Sequence, residues 1–64
     1  MHTVYYRKAD AKGTQVFLSR LNRSDAETAK EHHFNSQPDV TMCWVLDGSN
    51  NMVGDALTRE PDQQ

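Results

Sequence analysis

Sixty-four residues with a formal net charge of -2 leave room for one small domain and no second. A single cysteine excludes an internal disulfide and paired-cysteine zinc modules, and no stretch approaches the roughly 20 apolar residues of a membrane span. The charge is unevenly placed, +4 over residues 1–23 and -6 over residues 24–64, an asymmetry that steers charged partners.

The chain opens on "TVYYRKA", whose β-branched and aromatic residues predict a strand. "DAKG" follows, with Gly13 placed for a turn, and "TQVFLSRL" predicts a second strand that closes a hairpin. "NRSDAETAKEHHFN" predicts a helix of about three turns, because Ala26, Ala29, Lys30, His33 and Phe34 recur at the spacing of one helical face. Ser24 with Glu27 fits a capping box, Asp25 suits the positive end of the helix dipole, Asn35 can cap the far end and Pro38 forbids continuation. "VTMCWVLD" predicts a strong strand, "GSNN" a turn, and "MVGDALTR" a weaker strand in which Gly54 marks a bulge or a close backbone approach.

The order is therefore β-β-α-β-β over one domain, residues 1–60, followed by a polar tail at 61–64. The fold expected is α+β, a small two-layer sandwich: one antiparallel sheet, or a mixed one where the helix joins its halves, with the helix packed on one face.

One helix covers one face only, and side chains alternate across a strand. Packing the larger set inward puts Val4, Tyr6, Val16, Leu18, Met42, Trp44 and Leu46 beneath the helix. Tyr5, Phe17, Cys43 and Val45 then occupy the open face. With the faces reversed, Trp44 becomes the exposed anchor. Either way the open face is more apolar than a solvated sheet needs, and such patches mark partner surfaces. A chain this short buries only about 60% of its unfolded surface, so a covered second face would also supply missing core. Tyr5, Arg7, Phe17, Arg20 and Val45 are the partner-binding residues expected on this basis.

Catalytic and metal chemistry find little support in the pattern. His32 and His33 are adjacent and diverge by about 100° on a helix, so they cannot share one ion as an i, i+4 pair does. They fit an ordinary helix end that tolerates alanine, with mild pH sensitivity near neutrality. Cys43 sits mid-strand between Met42 and Trp44, a setting that keeps a thiol inert. A fold of this size is expected to lack a substrate pocket of a few hundred Å3. No phosphate-cradling glycine motif occurs. No enzyme activity, cofactor, metal or small-molecule substrate is expected.

In size, acidity and element order the chain resembles the small accessory proteins of phages and mobile elements, which bind and block a host enzyme or defence complex. The resemblance implies a cytoplasmic, non-enzymatic protein-binding inhibitor and carries no site residues with it. Two alternatives stand beside it. The basic first hairpin, with Tyr5, Tyr6 and Phe17, has the ingredients for single-stranded RNA or DNA, aromatic faces with cations beside them. A homodimer would instead pair two open faces. No membrane partner is expected.

Overall fold

The computed structural model describes residues 1–59. It has five elements in the expected order: β1 (His2–Lys8), β2 (Gln15–Leu21), α1 (Arg23–Ser36), β3 (Val40–Leu46) and β4 (Met52–Thr58). The four strands form one sheet, β2-β1-β3-β4, and every neighbouring pair is antiparallel. β2 and β3 run in the same direction with β1 between them, so α1 crosses over β1 and lies on one face. The fold is the α+β two-layer sandwich that the sequence implies. No helix among the described residues is long and apolar enough to cross a membrane. The polar tail expected at 61–64 lies outside the described residues.

The helix begins two residues earlier than the Ser24–Glu27 box implies. Asn22 is the N-cap, and its side-chain oxygen accepts the Asp25 amide at 2.7 Å. With that amide satisfied, Glu27 is free to bond Lys30 instead. At the other end Gln37, not Asn35, caps the helix, its N–H donating to the His33 carbonyl at 3.1 Å. Gln37 is extended, as the residue before a proline prefers to be.

The covered face reverses the sequence assignment in β2 and β3. The buried core is Val4, Ala26, Val40, Cys43 and Val45, with Tyr6, Phe17, Leu21, Ala29, Phe34 and Val53 packed around it. Val45 and Phe17, both expected on the open face, are therefore under the helix, and so is Cys43. The physical reason is size matching. Ala26 and Ala29 bring the helix close to the sheet over the small side chains of Val4, Cys43 and Val45, and the larger Tyr6, Phe17 and Phe34 pack around that contact. β1 keeps its assigned faces, with Val4 and Tyr6 inward.

Phe17 reaches the covered face through a bulge. Val4 pairs with Leu18 and Tyr5 with Val16, so Phe17 is an extra residue in β2. A second irregularity follows, where Ser19 and Arg20 oppose Thr3 alone and Arg20 takes a left-handed φ of 61°. β4 is interrupted likewise: Val45 pairs with Val53 and Cys43 with Leu57, so three residues stand against Trp44.

Candidate functional site

Directly opposed residues in an antiparallel pair share a face, so the register lays out the open side of the sheet. Its central rung is Val16, Tyr5 and Trp44, with the Tyr5 and Trp44 rings stacked at a centroid distance of 6.1 Å. On one side lies the rung Thr3, Leu46 and Met52; on the other lies Arg7, Met42 and Thr58. Val16 is 56% exposed and Met52 54%, large values for apolar side chains on edge strands. Tyr5, Trp44, Met42 and Leu46 are half-buried. This is a continuous apolar strip across all four strands, with no helix over it.

Cations stand at both ends of that strip. A cleft of about 460 Å3 beside the β1–β2 loop is lined by Arg7, Lys8, Lys12, Gly13, Thr41 and Met42. A second, of about 330 Å3 at the junction of β2 and α1, is lined by His2, Arg20, Leu21, Asn22 and Arg23 together with Met1. Volumes of this order were not expected in so small a fold. Both are shallow and open to solvent. Lys8 pairs with Asp39 at 3.5 Å and Arg23 approaches Glu27 at 4.0 Å. Arg7, Lys12 and Arg20 have no ion-pair partner among the described residues.

Of the five residues picked from sequence, Tyr5 and Arg7 lie on the open face, and Arg20 stands at the bulge beside it. Phe17 and Val45 do not, and Val45 is fully buried. Trp44, Met42, Leu46 and Val16 belong to the face but were placed beneath the helix, and Met52 was assigned to neither face. Only the cross-strand register, which aligns Val16 and Trp44 with Tyr5, brings them together.

The histidines separate as helical geometry demands. His32 is exposed, while His33 stacks on Phe17 at 3.9 Å and meets the Tyr6 ring edge-on at 4.6 Å. His33 is thus part of the packing beneath the sheet's covered face. Desolvation holds its pKa below the ordinary value near 6.5, with Asp39 opposing the shift. Its Nε2 is buried with no partner among the described residues, which disfavours the charged ring. A depressed folded-state pKa means the unfolded chain binds the proton first as pH falls. Stability should therefore be fully present above about pH 6.5 and decline as acid is added toward the folded value. Urea midpoints measured from pH 7.5 to 5 should show this slope, and His33→Phe should flatten it. An unchanged slope in the variant would assign it elsewhere.

Burial pushes the Cys43 thiol up to about 11, so it is protonated at neutral pH and a poor nucleophile. The helix–β4 seam is held by Lys30, only 3% exposed, whose ammonium donates to Glu27 Oε1 at 3.0 Å and to the Asp55 carbonyl at 2.7 Å. Arg59, just past β4, lays its guanidinium 3.9 Å over the Phe34 ring and donates to the Phe34 carbonyl. Both cations fasten the sheet to the helix, on the side away from the open face. Set against known protein families, curated proteins and solved structures, the chain matches none.

Proposed function

We propose that the protein is a non-enzymatic binding module that docks a protein partner on the open face of its sheet, acting as an inhibitor does by covering the partner's surface. The observation that carries this is the uncovered strip Val16–Tyr5–Trp44 with Met42, Leu46 and Met52 around it. These side chains, the single tryptophan among them, lie outside the buried core. A continuous exposed strip of this kind favours association. Its aliphatic and methionine content favours a protein over a nucleic acid, which needs ring faces and phosphate contacts rather than methionine side chains.

The test is affinity capture from the source cells with three baits: the native chain, Val16→Asp/Met52→Asp, and Thr28→Asp/Glu31→Lys on the exposed side of the helix. Both open-face substitutions fall on exposed edge-strand positions and should leave the fold intact. A partner held by the native chain and the helix variant but lost from the open-face variant is the expected result. If every partner stays bound to Val16→Asp/Met52→Asp, the open face is not the site.

A further inference from the structure

Resting on the open face as the docking surface, we propose that its occupant is an acidic amphipathic helix of the partner, lying along the strip with carboxylates at both ends. Three observations select that chemistry.

The first is charge. Arg7 and Lys12 stand at one end of β1 and Arg20 at the other, all without an ion-pair partner among the described residues. Arg20 opposes Thr3 and Arg7 lies four residues further along β1, so their backbones are about 13 Å apart at the rise of a strand, and Lys12 lies beyond in the loop. A second copy is a poor occupant through its own open face, because aligned face-to-face packing sets cationic end against cationic end. Nor can the copy's helix serve. Its outward residues Asp25, Thr28, Glu31, His32 and Asn35 are acidic or polar and carry no apolar group to cover Tyr5 and Trp44.

The second is the state of the sheet edges. β2 is broken by bulges at Phe17 and Arg20, and β4 is irregular at Gly54–Asp55. Neither edge offers the flat run of amides that a strand-adding peptide requires. An extended segment lying on the face would leave its own backbone groups unpaired against apolar side chains. A helix satisfies its amides internally. Docked here, it would complete the sheet as α1 does on the other side, turning two layers into three.

The third is size. Four strands spaced about 4.8 Å apart, each about 20 Å long, present a face of roughly 20 by 15 Å. That is well short of the roughly 800 Å2 per partner of a standard interface between globular proteins. It suits one helix of about thirteen residues, which spans the same 20 Å.

Selection of a displayed library of random 16-residue peptides on the full-length chain tests this. Enriched peptides should carry apolar residues at helical spacing with Asp or Glu toward both ends. They should gain helical circular dichroism on binding and shift the emission of Trp44, the single tryptophan. Arg7→Glu/Arg20→Glu, checked for an unchanged melting curve, should bind them about tenfold more weakly, and raising salt should weaken native binding. Enrichment of neutral or basic helices, or a charge-reversed variant that binds equally well, overturns the acidic occupant while leaving the docking face standing. Selected peptides that bind Val16→Asp/Met52→Asp as tightly as the native chain overturn the docking face itself. Failure of any peptide to enrich, with an oligothymidylate 20-mer quenching Trp44 in a salt-sensitive way, overturns both in favour of single-stranded nucleic acid.

Discussion

Glu27→Gln is expected to cost about 1–2 kcal/mol of folding stability, less than a fully buried ion pair would, because Glu27 is half-exposed and the amide oxygen can still accept from Lys30. Lys30→Met, at the other end of the same bond, should cost clearly less. The two side chains differ in access to water: that of Lys30 is almost fully buried, and that of Glu27 is 32% exposed. Removing the carboxylate charge leaves an ammonium that water cannot reach, with the Asp55 carbonyl as its remaining strong acceptor. Removing the ammonium leaves a carboxylate that water and Arg23 can still serve. The double variant should therefore be more stable than Glu27→Gln alone. Urea denaturation at pH 7, followed through Trp44 fluorescence, measures all three, and equal single losses would mean that Lys30 is solvated.

The same pair sets an acid limb. The Lys30 bond, then its charge, holds the Glu27 carboxyl below its ordinary value near 4.5. A depressed carboxyl contributes stability that is present above the unfolded value and lost as pH falls through the folded one. Glu27→Gln should thus flatten the stability profile below about pH 4.5. Gly54 belongs to this seam. Its φ is +70°, and a Cβ there would stand 2.9 Å from Glu27 Oε2. Gly54→Ala should lose about 2 kcal/mol, from left-handed strain of about 1–2 kcal/mol and from displacing the carboxylate that holds Lys30.

The elements were legible because each rests on local chemistry. Alternation and β-branching mark β1 and β3, the Ala26–Phe34 spacing marks the inner face of α1, and Gly13 and the "GSNN" run mark turns. Asp47 holds the second turn by accepting the amides of Asn51 and Ser49, which keeps its carboxyl below the usual range. The faces were not legible in the same way. Period-two alternation says that Cys43 and Val45 lie together opposite Trp44, but not which set the helix covers. Choosing the bulkier set as core assumes a wide gap between layers, whereas Ala26 makes the gap narrow. In β2 alternation itself fails, since the bulge at Phe17 shifts the phase, and a bulge is set by pairing with β1. The seam between Lys30 and Asp55 joins residues 25 positions apart, so no local pattern announces it. The charge asymmetry was visible from the start, but its two ends became a spatial arrangement only once β1 separated Arg7 from Arg20.

Val45→Ala and Val16→Ala make the same chemical change on opposite faces and should give opposite results. Val45 is fully buried against Val4 and the helix, so losing two methyl groups there should cost about 2 kcal/mol, transfer and cavity terms together. Val16, 56% exposed on the edge strand, should change stability by less than about 0.5 kcal/mol. Binding should reverse that order. Val16→Asp removes partner affinity from a folded protein, whereas Val45→Asp sets a carboxylate in the core and abolishes folding before binding can be asked about. Denaturation midpoints of the two alanine variants, read beside capture by Val16→Asp, separate the roles. If Val45→Ala proved neutral and Val16→Ala costly, Trp44 would be the covered residue and Tyr5 would lose its partner on the open face. The strip would then break into scattered apolar side chains, which a surface carries without any partner. The order of two midpoints therefore decides whether the sheet has a second face to fill.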